Sequence, residues 1–211
     1  HIFPHWNWPG REGESIDVWC YSNCPEVELF LNGVSLGRKA MPRNGHLEWP
    51  VPYAAGTLAA RGYGSGRILA ETKVETTGAP VAVALAADRT VLTADGQDVA
   101  ILTVSAVDDA GRAVPTADQE IMFAIAGPGK ILGTGNGDPS SHEPDKASAR
   151  RLFNGLCQVI VQSARGTGGK SVFEARAAGL RPARLTLVST PPARPRRRQR
   201  GTALSPGGSP P

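Results

Sequence analysis

The chain has 211 residues, a length that suits one large domain or two small ones. Its 25 glycines and 18 prolines indicate many turns and few long helices. The longest apolar stretches, such as residues 99–107, are broken by threonine and serine and are shorter than the roughly 18 to 20 residues that cross a bilayer. The composition therefore predicts an all-β protein without a membrane-spanning segment, and we expect no membrane partner.

The net charge of +4 is concentrated in one terminal segment. Residues 191–211 mix five arginines with proline, glycine and serine, whereas residues 1–190 hold 18 basic and 19 acidic side chains. This tail lacks hydrophobic periodicity, so we predict that it is disordered. It also lacks aromatic side chains for base stacking. A solvated extension is therefore favoured over an electrostatic contact, and we expect no nucleic-acid partner.

Alternation of apolar and polar residues predicts a first β-sandwich over residues 14–78. Its strands are predicted at residues 16–20, 27–31, 34–36, 47–51, 58–63 and 67–77. The pair Asn32-Gly33 lies between two of these runs and predicts a two-residue hairpin turn. In the last strand, Ile68, Ala70 and Val74 are predicted to share one face. Short strands at this spacing are typical of an immunoglobulin-like sandwich.

A second sandwich is predicted over residues 79–190, because the segment 76–80 interrupts the strand pattern and alternation then resumes. Its strands are predicted around residues 81–85, 102–106, 121–125, 157–161, 173–177 and 185–187. The predicted fold class is therefore all-β, with two tandem immunoglobulin-like β-sandwich domains. Residues 1–13 are predicted to be a connector and residues 191–211 a disordered tail.

Three strings stand out in the first module: HIFPHWNWPG at residues 1–10, VWCYSN at 18–23 and VELFLNGVSLG at 27–37. Together they resemble the domain that follows the catalytic barrel in many bacterial β-galactosidases of glycoside hydrolase family 2. In the second module, GNGDPSSHEP at residues 135–144, followed by FNGL at 153–156, is similar to the last domain of the same group. The two modules occur in the order that this resemblance implies.

Another part of the second module, residues 92–100 with 107–111, resembles bacterial immunoglobulin-like repeats, including those of invasin-type adhesins. This likeness is weakly specific, because it mainly reflects the shared order of a strand, a turn and a second strand. Two function classes therefore stay open beside an accessory region of a hydrolase. They are a free-standing carbohydrate-binding module and a cell-surface adhesin.

The resemblance implies a parent β-galactosidase and an inert role for the present modules. A retaining glycosidase needs two carboxyl groups about 5 to 5.5 Å apart. In the resembled family both are glutamates on the catalytic barrel, and no position here matches either motif. A barrel of about 250 residues is also larger than this chain. We therefore predict no catalytic residue, cofactor or metal, and we expect the parent's catalytic barrel as a partner, together with homo-oligomer contacts through the parent.

The chain opens without an initiator methionine or a signal peptide, which we interpret as the start of a carboxy-terminal piece of a larger protein. The compartment stays open, with a periplasmic or extracellular location favoured. Cys20 and Cys24 flank a short turn, but residues four apart seldom have the Cα spacing of a disulfide. Cys157 alternates with apolar residues and is predicted to be in the core.

The first candidate site consists of His5, Trp6 and Trp8 near the amino terminus. Their rings can stack on a sugar or pack against the catalytic barrel. Packing against a domain is favoured, because Pro4 and Pro9 bracket a rigid connector.

The second candidate site is a polar loop that contains Asn136, Asp138, His142 and Glu143. These side chains are of the types that coordinate a cation or bind sugar hydroxyls. The favoured interpretation is a long turn with solvated charges, because the spacing matches no defined metal loop.

Overall fold

The computed structural model describes residues 1–192, which form sixteen β-strands and no α-helix. This part of the chain therefore contains no helix of the length and apolarity needed to cross a membrane. The prediction of an all-β architecture is confirmed. Nearly all of the predicted disordered tail, residues 193–211, lies outside the described residues.

Two sheets enclose the first hydrophobic core. Their strands are β1 (Ile2–Phe3), β2 (Ser15–Cys20), β3 (Glu26–Leu31), β4 (Val34–Ala40), β5 (Leu47–Pro52), β6 (Thr57–Gly64) and β7 (Arg67–Glu75). One sheet has the order β1-β2-β5 and the other has the order β4-β3-β6-β7. Strand β2 shows why the sheets pack, because Ile16, Val18 and Cys20 are buried while the residues between them are exposed.

The predicted hairpin turn at Asn32-Gly33 is confirmed. Both residues have positive φ values, 50° and 83°, and the turn places Leu31 opposite Val34. This geometry matches the right-handed twist of the flanking strands, and asparagine and glycine adopt it readily.

Strand β7 differs from its predicted amphipathic pattern. Ile68 is 52% exposed and Ala70 is also exposed, whereas Val74 packs against the core. The reason is that β7 is an edge strand of a four-stranded sheet, and the facing sheet has only three strands to cover it.

Two further sheets enclose the second core. Their strands are β8 (Ala82–Ala87), β9 (Val91–Thr93), β10 (Val99–Val107), β11 (Glu120–Ala126), β12 (Gly129–Gly135), β13 (Ala149–Arg151), β14 (Leu156–Ser163), β15 (Gly169–Arg176) and β16 (Ala183–Thr190). The sheet orders are β12-β14-β10-β8 and β13-β11-β15-β16-β9, and only β9 and β16 pair in parallel. Phe123 on β11 and Phe173 on β15, which are neighbouring strands of the second of these sheets, stack in the core at a centroid distance of 5.8 Å.

The segment 1–13, expected to be a connector, contributes to the first sandwich. Strand β1 pairs with β2, and Trp6 is fully buried in the core. The next residue, Asn7, accepts a hydrogen bond from the Thr77 N–H at 2.9 Å and donates one to Thr77 Oγ1 at 2.7 Å. The amino-terminal segment therefore holds the start of the link between the two sandwiches.

Asp108 holds the same link from the side of the second sandwich. Its Oδ2 accepts a hydrogen bond from the Gly78 N–H at 3.0 Å and two from the Arg112 guanidinium at 2.9 and 2.7 Å. These bonds from Arg112 hold the pKa of Asp108 well below its usual range. An ionised carboxylate thus fixes residue 78 to the end of β10.

Candidate functional site

Trp6 is unavailable to a sugar or to a neighbouring domain, in contrast to the expectation from the sequence. Its side chain is 0% exposed, its Nε1 donates a hydrogen bond to the Ala54 carbonyl at 2.9 Å, and its ring meets Tyr53 edge to face at 5.2 Å. Burial is favourable because the indole N–H has a partner while the ring fills the core. Trp6 is a core residue of the first sandwich.

His5 and Trp8 stack on one another at a centroid distance of 4.6 Å, and both are half-buried. Trp8 Nε1 donates to the His5 carbonyl at 3.0 Å, and the Arg11 guanidinium lies 5.3 Å from the Trp8 ring centroid. Burial lowers the pKa of His5. The neutral imidazole is therefore favoured near pH 7, and the pair presents a compact, mostly apolar surface.

The loop that follows β12 is organised by hydrogen bonds between its own side chains and backbone. Asp138 Oδ1 accepts bonds from the Ser140 N–H at 2.9 Å and its hydroxyl at 2.7 Å. These bonds lower the pKa of Asp138. Asn136 Oδ1 accepts from the Asp138 N–H at 3.1 Å, and Glu143 Oε1 accepts from the Arg151 N–H at 3.0 Å. Three of the four predicted loop residues thus shape the turn, while His142 is exposed.

A buried arginine, Arg150, binds this loop and was not among the candidates from the sequence. Arg150 is 2% exposed, and its guanidinium donates to the carbonyl oxygens of Thr134 at 2.8 Å, Pro144 at 3.1 Å and Glu143 at 3.3 Å. It also contacts Asp145 Oδ1 at 3.4 Å. The sequence gives little indication that Arg150 is buried, because it is one basic residue among several in a polar segment.

An open depression of about 340 Å³ lies beside the loop and is lined in part by Asn136, Leu156 and Gln158. Asn136 Nδ2 donates a hydrogen bond to the Arg151 carbonyl at 3.0 Å. Within residues 1–192, no three histidine, cysteine, aspartate or glutamate side chains converge on a point that suits a metal ion. The surface of the depression is mostly apolar, and both polar groups of the Asn136 side chain are already hydrogen-bonded within the protein.

All three cysteines are free and buried, so Cys20 and Cys24 form no bridge. Burial raises the pKa of the Cys20 thiol to about 11 and that of Cys157 to about 12. Both groups are protonated near neutral pH and are therefore poor nucleophiles.

A second feature absent from the sequence-based candidates is a group of exposed aromatic rings on β2 and its neighbours. Trp19 is 36% exposed and Tyr21 is 44% exposed, and both contact the ring of His46. The alternation of β2 could have indicated that Trp19 is exposed, because Trp19 lies between the buried Val18 and Cys20.

Both modules match known protein families. Residues 83–186 match the family model described as glycoside hydrolase family 2 C-terminal domain 5, and residues 13–70 match a domain of unknown function, DUF4982. The chain is 43% identical over 190 residues to the β-galactosidase BoGH2A of Bacteroides ovatus, covering 89% of this chain and 22% of that protein. It is 35% identical over 172 residues to a putative β-glucuronidase of Formosa agariphila, covering 77% of this chain and 16% of that protein.

Solved structures agree with these matches. A β-glycosidase from Bacteroides vulgatus superposes with a TM-score of 0.84 at 36% identity, covering 89% of this chain and 24% of that chain. The present chain thus spans about a fifth of the length of the curated β-galactosidase that it matches. Relatives from one family thus match both sandwiches. The chain belongs to glycoside hydrolase family 2 and corresponds to the C-terminal region of its members.

Proposed function

We propose that this chain is the non-catalytic C-terminal support of a family 2 enzyme that hydrolyses terminal β-galactosides, and that it packs against the catalytic domain of that enzyme. The observation that carries the proposal is the alignment of 89% of the chain with only 22% of a β-galactosidase. The higher identity to that protein, 43% against 35% for the putative β-glucuronidase, favours a galactoside as the substrate of the parent.

The geometry of the described residues supports an inert role. The most strongly perturbed carboxyl group, Asp108, is ionised and bound to Arg112, so it is unsuited to act as a proton donor. Two of the three thiols have raised pKa values. In the loop that follows β12, the carboxylates of Asp138 and Glu143 accept hydrogen bonds that shape the loop.

We assign the exposed part of this loop, around His142, to contacts of the parent with carbohydrate or with a second subunit. The open depression beside Asn136 supports this assignment, because it is an accessible concave surface next to the loop. The half-buried pair of His5 and Trp8 is assigned to packing within the parent.

The experiment compares the 211-residue chain with the full-length parent enzyme on aryl β-galactoside and aryl β-glucuronide substrates. We expect no turnover by the chain alone, and turnover by the parent with a higher kcat/KM on the galactoside. Turnover by the purified chain would refute the inert role. A parent that prefers the glucuronide would refute the substrate assignment and leave the supporting role intact.

A further inference from the structure

Four aromatic rings form a continuous surface on the outer face of the sheet β1-β2-β5. We call Phe3, Trp19, Tyr21 and His46 the aromatic patch. Phe3 and Trp19 are cross-strand partners with ring centroids 6.5 Å apart. The His46 ring lies 4.6 Å from Trp19 and 5.3 Å from Tyr21. Each ring therefore touches the next across the sheet.

The aromatic patch is not needed to complete the core of its own sandwich. Phe3 is 53% exposed, Trp19 36% and Tyr21 44%, while the opposite face of the same strands is already buried. A contiguous apolar surface of this kind on a folded domain marks a contact site. Tryptophan and tyrosine are also the side chains that contribute most to binding energy at protein interfaces.

Polar groups border the aromatic patch as they border a protein interface. Glu48 lies opposite Trp19 in the register of β2 and β5, and its Oε1 is 2.7 Å from His46 Nε2. His46 also covers part of the Trp19 and Tyr21 rings, with interplanar angles of 31° and 35°. This cover reduces the ring area that a sugar needs for stacking, and so favours a protein occupant.

The position of the aromatic patch indicates which protein that is. β1 is the first strand of the sandwich, and His1 exchanges backbone hydrogen bonds with Tyr21 inside the patch. In the β-galactosidase relative, the aligned region occupies 22% of the protein, and the family model that matches the second sandwich, residues 83–186, is described as a C-terminal domain. The polypeptide that precedes the region in such relatives therefore reaches the sandwich at the edge of the patch.

We propose that the aromatic patch is the surface on which the catalytic domain of the parent enzyme docks. This inference rests on the proposed function and adds the residues of the contact. The rings of Phe3, Trp19 and Tyr21 lose their exposure to water when the catalytic domain covers them. Glu48, which contacts His46, lies at the polar border of the same contact.

The test uses the full-length parent with the double substitution Phe3→Ser and Trp19→Ser. The matched control is Val34→Ser with Leu69→Ser, because these residues are 67% and 61% exposed on the other sheet of the same sandwich. The readout is the rate at which a protease releases the C-terminal region under native conditions. We expect release to be about tenfold faster in the patch variant than in the wild type, and unchanged in the control.

Two further measurements keep the result interpretable. Far-UV circular dichroism of the 211-residue chain carrying each pair verifies that both variants fold, and Trp19→Phe in the full-length enzyme should release the region at nearly the wild-type rate. Equal release rates for the patch and control variants would overturn the docking proposal, and so would a Trp19→Phe variant that releases the region as fast as the patch variant does.

Other occupants give distinct outcomes that also overturn the proposal. Dimerisation of the full-length parent that disappears with the patch variant would assign the surface to a second copy. Saturable binding of β-galactosides by the 211-residue chain, lost when it carries the patch substitutions, would assign the surface to carbohydrate. A parent without glycosidase activity refutes the proposed function, whereas an active parent with equal release rates refutes the docking surface alone.

Discussion

At the scale of single residues, the second sandwich buries two charged groups and supplies each with partners. Asp108 is 3% exposed and accepts hydrogen bonds from Gly78, Ala110 and Arg112. Arg150 is 2% exposed and donates to carbonyl oxygens on both sides of the loop after β12. A buried charge is tolerated only when such partners are present.

Replacing Arg150 by methionine should destabilise the second sandwich. The substitution keeps an apolar stem of similar length but leaves the carbonyl oxygens of Thr134 and Pro144 without this donor. We expect a loss of about 3 kcal/mol in the free energy of unfolding. The measurement is urea denaturation followed by far-UV circular dichroism.

The control for this prediction is Arg184→Met, which removes an ion pair with Glu174 from a side chain that is 72% exposed. It should change the free energy of unfolding by less than about 1 kcal/mol. Tryptophan fluorescence follows the unfolding of the first sandwich alone, because all four tryptophans lie there: Trp6, Trp8, Trp19 and Trp49. Equal losses for the two arginine variants would contradict a structural role for Arg150.

At the scale of elements, the tight connection between β11 and β12 depends on one glycine. Gly127 has a φ of +113°, and a Cβ at this position would lie 2.3 Å from the Lys170 carbonyl oxygen and 2.8 Å from Ser171 Cα. Both atoms belong to the backbone of β15, which pairs with β11 and with β16. The strand cannot retreat without disturbing this sheet.

We therefore expect Gly127→Ala to destabilise the second sandwich by about 3 kcal/mol, from the steric overlap together with the unfavourable φ. Gly111→Ala is the matched control, since Gly111 has a φ of +76° but open space around its Cα. It should lose only about 1 kcal/mol. Denaturation curves of the two variants give the comparison, and a similar loss in both would show that the contact with β15 is unimportant.

At the scale of the whole molecule, two separate cores are joined through a short hydrogen-bonded link. Thr76 Oγ1 donates to the Trp6 carbonyl at 2.6 Å, Thr77 is bound by Asn7, and Gly78 is bound by Asp108. The residues that precede β2 are thus connected to the second sandwich through three consecutive residues. Such a link limits the freedom of the junction between the sandwiches.

Asn7→Ala should loosen this junction. The Thr77 N–H loses its acceptor, Asn7 Oδ1, so its amide hydrogen exchange should become about tenfold faster. Exchange measured by NMR in the 211-residue chain tests this expectation. Asn23→Ala serves as the control, because Asn23 is exposed on the surface. Unchanged exchange at Thr77 in the Asn7 variant would show that the amide is protected by other contacts.

The amino-acid sequence by itself determined the strand content, the hairpin at Asn32-Gly33 and the family resemblance. These features are local, because a period of two in apolar residues assigns faces within one strand, and a two-residue turn needs positive φ only at its own positions. The same alternation placed Trp19 on the face of β2 opposite Val18.

Only the tertiary structure decided which of these faces are covered. Trp6 lies in a proline-bracketed segment that suggested exposure, yet Tyr53 and the Ala54 carbonyl enclose it from a distant part of the chain. Arg150 is buried because carbonyl oxygens from separate segments converge on it. Burial depends on long-range pairing and on the width of the facing sheet, and neither is encoded in the periodicity of a single strand.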